Sequence, residues 1–264
     1  MISDESIRAA ADRLWRAWET GEPAEPVRDL IGDSDVDAAY RVQELNTKRW
    51  LGSEERVLSG RKIGLTSKSV QRQIGVDQPD FGMLFADMEV ADGEDIAISR
   101  CHQPRVEAEV AFVIAAPLTG GHITMVDLMA SIGYVVPAIE IVGSRIRDWD
   151  IAITDTVADN ASSGLYVLGQ QPRRLGEFDP RLCGMAMFRR GELVSAGAGA
   201  ACLGSPLNAT LWLARKMASA GQPLQPGDLV LSGALGPMVP AGPGDVFEAH
   251  VNGLGSVRAA FARG

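Results

Sequence analysis

The spacing of apolar positions changes character along the chain. Near the start, Ile7, Ala11, Leu14 and Trp18 recur at helical intervals, which predicts one amphipathic helix. Ser3 precedes it as an N-cap, Asp4 and Glu5 stand in its first turn where the dipole favours acids, and Gly21 and Pro23 stop it. Val36, Ala39, Tyr40 and Leu45 mark a second helix that starts after Ser34 and ends at Gly52. Residues 1–55 thus form a helical N-terminal segment, too small to fold alone.

Beyond it the period shortens. Residues 57–65 read as a strand carrying Lys62, and Thr66 can cap a short helix with Val70 and Ile74 at i,i+4 and Gly75 just past it. Asp77-Gln78-Pro79-Asp80-Phe81-Gly82 and Asp92-Gly93 read as turns. Thr124 and Asp127 have capping-box spacing for a helix running to about Ser131. Residues 144–164 are polar and irregular, and a loop of that length tends to carry function. Residues 185–188 and 193–195 flank a hairpin signal, Arg189-Arg190-Gly191-Glu192. Ser205-Pro206 opens a helix that closes at Gly221. The last strands are 229–232, 246–251 and 257–261, the final two joined through Asn252-Gly253. Strands outnumber helices, which favours a mixed, largely antiparallel α+β fold. The chain reads as one catalytic domain, 1–264, with residues 56–264 as its β-rich core.

One strand breaks the usual pattern: Arg105-Val106-Glu107-Ala108-Glu109-Val110-Ala111-Phe112-Val113-Ile114. Glu107 and Glu109 share one face, while Val106, Ala108 and Val110 share the other. The residues that follow are apolar on both faces up to Pro117, as in a strand with two neighbours. Two carboxylates about 4 Å apart cost about 4 kcal/mol at an effective dielectric of about 20. A divalent cation is the simplest remedy, and oxygen-only ligands select a hard one, Mg²⁺ or Mn²⁺. A third acid, Glu140, interrupts the apolar strand 134–142. Charged side chains are mostly exposed, so taken alone the three also fit solvated or salt-bridged strand faces.

Composition narrows the picture. The chain has 264 residues, 22% charged and 46% hydrophobic, with a net charge of −9. An acidic balance excludes the basic stripe that a nucleic-acid partner needs. No apolar run approaches the roughly 20 residues that span a bilayer. The acidic start, Met1-Ile2-Ser3-Asp4-Glu5, is not a secretory signal, and Cys101, Cys183 and Cys202 lack any CxxC pair. Both features fit a cytoplasmic protein with reduced thiols. Gly197-Ala198-Gly199-Ala200-Ala201-Cys202-Leu203-Gly204 has its third glycine too late for a dinucleotide fingerprint and reads as close backbone packing. His122 and His250 have no paired spacing; His102, near the glutamate strand, stays open as a functional candidate.

Together these stretches resemble the 2-hydroxypentadienoate (2-oxopent-4-enoate) hydratases of meta-cleavage pathways, within the fumarylacetoacetate hydrolase superfamily. The resemblance runs nearly end to end. It is carried by Ala39-Tyr40-Arg41-Val42-Gln43, Gly60-Arg61-Lys62-Ile63-Gly64-Leu65-Thr66, Gly75-Val76-Asp77-Gln78-Pro79-Asp80-Phe81-Gly82 and Gln103-Pro104-Arg105-Val106-Glu107-Ala108-Glu109. Pro137-Ala138-Ile139-Glu140, residues 155–164 and Leu231-Ser232-Gly233-Ala234-Leu235-Gly236-Pro237-Met238 continue it.

The resemblance implies a strand-rich β roll with a helical N-terminal segment. It implies Glu107, Glu109 and Glu140 as ligands of Mg²⁺ or Mn²⁺, Lys62 and Asp80 as catalytic residues, and Leu65, Asp155, Asn160 and Ser162 along the substrate. The substrate would be a small 2-hydroxy-2,4-dienoate or 2-oxo acid, handled by a homo-oligomer that can associate with another enzyme of the pathway. Three other readings remain open at this point. One is the sister 2-oxo-3-hexenedioate (4-oxalocrotonate) decarboxylase, another an acylpyruvate-type hydrolase relying on His102. The third is a non-catalytic partner subunit.

Overall fold

The caps place the helices. In the computed structural model, which describes residues 2–52, 56–68, 71 and 77–263, helix α1 spans Asp4–Thr20. Ser3 Oγ accepts from the Ser6 amide, and Gly21 ends the helix with φ of 76°. Ile7, Ala11 and Leu14 are buried as their spacing predicts, whereas Trp18 stays 40% exposed. A single turn, α2 (Arg28–Ile31), and the helix α3 (Val36–Gly52) follow. The short helix expected around Val70, Ile74 and Gly75 lies outside the described residues.

Thirteen strands among the described residues form two sheets. The first collects β1 (Leu58–Gly64), β2 (Asp80–Phe85), β3 (Glu89–Val90), β5 (Arg105–Ile114), β6 (Ile132–Val142), β7 (Leu165–Leu168), β10 (Leu229–Leu231) and β11 (Val239–Pro240). Its order is β2-β1-β10-β5-β6-β7-β3, with β11 also paired to β5. The second contains β4 (Asp95–Ile96), β8 (Gly184–Arg189), β9 (Glu192–Ala198), β12 (Val246–Val251) and β13 (Gly255–Phe261), in the order β4-β13-β12-β8-β9. Pairs β1–β10, β3–β7 and β4–β13 are parallel and the others antiparallel, so the sheets are mixed as expected. The hairpin turn at Arg190 and Gly191 has φ of 52° and 86°, the left-handed pair that matches strand twist. At Gly197 a Cβ would collide with the Leu235 carbonyl, so the glycine run is close packing and not a nucleotide loop.

Helices α4 (Met125–Ser131), α5 (Ile153–Ala158) and α6 (Pro206–Ser219) complete the fold. Two readings are corrected here. Residues 144–164 are not one irregular loop, because α5 lies within them, and the stretch from Thr154 to Ser163 is buried. The turn expected over residues 77–82 is already strand from Asp80 onward. A second apolar cluster joins Ile7, Leu14, Val27 and Val42 of the N-terminal helices to Ile146 and Val157. The N-terminal segment therefore docks on the polar stretch and fixes it against β2.

Candidate metal centre

Strand register brings the acids together. β5 lies between β10 and β6, and in the antiparallel β5–β6 pair Glu107 stands opposite Glu140, with Glu109 opposite Ala138. Period-two alternation puts Glu107, Glu109 and Ala111 on one face. Ala111 pairs with Leu231, and Leu231 with Lys62, so Lys62 stands on that same face across β10. One carboxylate oxygen from each of Glu107, Glu109 and Glu140 lies within 4.8 Å of the others.

Glu109 and Glu140 are fully buried. Glu109 Oε2 accepts from the Gly233 amide at 2.7 Å, while Glu109 Oε1 and Glu140 Oε2 have no hydrogen-bond partner among the described residues. Gly233 reaches that position with φ of 101°, and a Cβ there would strike Thr66. Lys62 Nζ forms an ion pair with Glu140 Oε1 at 3.2 Å. Burial, then Glu140, pushes the Glu107 carboxyl up to about 7. Burial also lifts Glu109 well above the usual carboxylate range and raises Glu140, against the pull of Lys62. For Lys62, burial alone would favour the neutral amine. The charges of Glu140, Asp80, Glu107 and Glu109 outweigh it and hold the ammonium above its ordinary range.

Asp80, paired with Gly64 across the β1–β2 ladder, is 2% exposed. Burial lifts its carboxyl to about 6 against the opposing pull of Lys62. A Cβ on Gly64 would collide with Asp80 Oδ1 and come within van der Waals reach of Lys62 Nζ, so only glycine leaves room for both groups. Ionised, four carboxylates face one ammonium, and buried charge without a partner is costly. Converging oxygen-only donors, with Glu109 Oε1 and Glu140 Oε2 buried and unbonded, fit a hard dication such as Mg²⁺ or Mn²⁺.

The remaining candidates divide in two. Asn160, Ala161 and Ser162 have φ of 54°, 50° and 55°, and Leu65 has 54°. Left-handed backbone costs a non-glycine residue about 1 kcal/mol or more, and such strain gathers at functional sites. Asn160 is held there by a two-way clamp on Met83, accepting from its amide at 2.7 Å and donating to its carbonyl at 2.9 Å. Ser162 Oγ pairs with Thr156 Oγ1 at 3.2 Å. Asp155, by contrast, is committed to the fold. Its oxygens accept from the amides of Val27, Arg28 and Ala152 and from the Arg28 guanidinium.

His102 Nε2 donates to the Ala17 carbonyl at 3.0 Å, and burial lowers its pKa. It belongs to the packing of α1 and is not one of the acids' partners. Two residues escaped the sequence reading. Arg145 binds Asp159 through its guanidinium and amide and donates to the Ser163 carbonyl, which anchors the strained turn. Tyr40 stacks on Phe81 at 4.6 Å between ring centres and lines a cleft with Asp80. Its place in the quoted Ala39–Gln43 stretch was the available signal, but helical spacing assigned it to ordinary core.

Comparison with known proteins gives the family of the chain. The family model described as fumarylacetoacetate (FAA) hydrolase C-terminal matches residues 58–262. The chain is 61% identical over 258 residues to the TodF product hydratase of Pseudomonas putida, covering 98% of this chain and 96% of that one. It is 56% identical over 252 residues to the 2-keto-4-pentenoate hydratase of Paraburkholderia xenovorans, covering 96% and 93%. A solved structure, 4-oxalocrotonate decarboxylase from Pseudomonas putida G7 complexed with magnesium and adipate, matches with a TM-score of 0.92 at 34% identity over 99% of both chains.

Proposed function

The chain belongs to the fumarylacetoacetate hydrolase family, and from that membership we propose a metal-dependent hydratase of meta-cleavage degradation of aromatic compounds. It adds water to 2-hydroxypenta-2,4-dienoate (2-oxopent-4-enoate) and yields 4-hydroxy-2-oxopentanoate. Relatives bearing hydratase names stand at 56% and 61% identity, against 34% for the decarboxylase. The observation that carries the chemistry is the convergence of three acids, with Glu109 Oε1 and Glu140 Oε2 buried and without a hydrogen-bond partner, beside Lys62 and Asp80.

Glu107, Glu109 and Glu140 are the proposed holders of Mg²⁺ or Mn²⁺; the decarboxylase neighbour carries magnesium. A dication bound there supplies Lewis-acid polarisation of the oxygens on C1 and C2. The reaction needs the C2 hydroxyl proton of the dienol removed and a proton delivered to C5, then the elements of water added, the hydroxyl at C4 and the proton at C3. Asp80, with a carboxyl lifted to about 6, is able to give and take a proton near neutral pH. Lys62 supplies the positive charge that an anionic substrate needs among so many carboxylates. Leu65, Asn160 and Ser162 present strained backbone to the substrate, and Asp155 supports them by tying α5 to Val27 and Arg28.

Residues 1–264 act as one catalytic unit in this reading, which the apolar cluster shared by the N-terminal helices and α5 supports. The substrate is a small molecule, and among the described residues no helix is long and apolar enough to cross a membrane. A cytoplasmic homo-oligomer is the proposed working form, with Val57, Val126 and Leu182 as exposed apolar surface available for contacts, including contacts to a second pathway enzyme. Product identification tests the activity. Purified protein with Mg²⁺ is expected to consume the dienol and form 4-hydroxy-2-oxopentanoate. Release of CO₂ from 2-oxo-3-hexenedioate instead would make it a decarboxylase, and no turnover by the chain alone would make it a partner subunit.

A further inference from the structure

Cys202 is a fully buried thiol that the chemistry described above does not use. It lies in the tight turn that leads into α6, where Leu203 and Gly204 have φ of 46° and 81°. Its backbone is held from both sides: the Cys202 amide donates to the Gly199 carbonyl at 3.1 Å, and its carbonyl accepts from the Ser205 amide at 2.7 Å. The adjacent Leu203 amide donates to the Thr66 carbonyl at 2.9 Å. From this fixed base the thiol donates to the Ser232 carbonyl at 2.9 Å, with the Thr66 side chain as a further hydrogen-bond partner.

That carbonyl belongs to the same peptide unit as the Gly233 amide, the donor to Glu109 Oε2. The peptide is trans, so its C=O and N–H point opposite ways in one plane, and fixing one end fixes the other. The Ser232 and Leu235 amides donate to the Val110 and Ala108 carbonyls of β5 at 3.1 and 3.0 Å. Between those two bonds the chain has one residue more than β5 does, as in a bulge, and the Gly233 amide leaves the ladder for the Glu109 side chain. Thr66 packs so close to Gly233 that no side chain fits there, which keeps the peptide from turning away. We propose that Cys202 is a positioning residue: through the Ser232–Gly233 peptide it holds Glu109 Oε2 and sets the orientation of that carboxylate within the acid cluster. Glu109 Oε1, buried and unbonded, is then the oxygen left for a cation. Partners of this kind behind a ligand tune metal affinity. The proposal rests on the metal-dependent reading and deepens it by naming what aims one of the three acids.

Two substitutions separate the hydrogen bond from the packing. Cys202→Ala removes the donor, whereas Cys202→Ser keeps one in a similar volume. Calorimetric titration of the full chain with Mn²⁺ should show affinity about tenfold weaker in the alanine variant, the low end for an outer partner of a ligand, and within about threefold of the unaltered protein in the serine variant. Melting temperatures of the metal-free proteins should not follow that order, because a buried hydroxyl lowers stability in its own right; a merely structural role would make affinity track stability. Equal affinity in all three proteins, or equal loss in both variants, overturns the proposal. Cys202→Val fills the site without a donor and takes the same test if the alanine variant does not fold. Glu109→Gln is titrated alongside, and full Mn²⁺ affinity there contradicts the metal reading instead. The relay is then read without metal, from amide hydrogen exchange at Gly233 followed by NMR. Exchange about fivefold faster in the alanine variant than in the serine variant, the scale of one ordinary hydrogen bond, upholds it, and equal exchange overturns it.

Discussion

Protons and a metal ion compete for the same carboxylates, and that competition gives the sharpest expectation. At a separation of about 4.8 Å, two charges at an effective dielectric of about 20 repel by about 3.5 kcal/mol. The metal-free fold relieves this by holding protons. Glu107, lifted to about 7, keeps a proton through roughly pH 4.5–7 that the unfolded chain has lost. Folded protein then binds more protons than unfolded protein, so the stability of the metal-free form declines as pH rises across that window. A cation must displace the proton, so its affinity follows the opposite course. For one site titrating near 7, binding at about pH 5.5 is weaker than at about pH 8 by about 30-fold, or about 2 kcal/mol. Glu107 keeps an edge in solvent, which makes this an upper figure for that residue, and Glu109 adds to it. Titration calorimetry with Mn²⁺ in two buffers of different ionisation heat measures both affinity and protons released. We expect about one proton released or more near pH 6, falling toward none above pH 8. A metal affinity independent of pH, without proton release, would refute the reasoning.

Two further outcomes follow from the same geometry. Lys62→Met removes the ammonium that now lies 3.2 Å from Glu140; turnover should fall by about 100-fold or more while Mn²⁺ affinity stays or rises, and equal turnover would remove Lys62 from the mechanism. Asp155→Ala leaves three backbone amides and the Arg28 guanidinium short of an acceptor, so thermal scans should show a loss of about 3 kcal/mol, some 6–12 °C. Its Mn²⁺ stoichiometry should remain one; loss of metal binding with an unchanged melting temperature would place Asp155 in the site after all.

Much of this was legible in the sequence because its signals were local. Ser3, Thr124 and Ser205 capped helices where their spacing demanded, and Asn252-Gly253 made its hairpin. The glutamate strand declared itself by carrying two acids into an apolar run with neighbours on both sides. Residues 144–164 misled because their polar, aperiodic sequence hid the helix α5 within them. Several of their polar groups face inward: Arg145 binds Asp159, Asp155 caps α5, and Asn160 clamps Met83. Such partners lie across the fold or on another element, and no periodicity announces them. Lys62 and Asp80 became neighbours through the β1–β2 register and the bare Cα of Gly64, which a turn-like reading of residues 77–82 had hidden. Tyr40 went unnoticed for the related reason that a helix spacing rule cannot tell a core aromatic from one facing a cleft.

The most direct trial of the central claim is an anomalous diffraction map from crystals grown with Mn²⁺. The account predicts one strong peak bonded to an oxygen of each of Glu107, Glu109 and Glu140, at about 2.2 Å, and its loss in Glu109→Gln crystals. A peak that contacts other residues, or none at these three under saturating Mn²⁺, would contradict it.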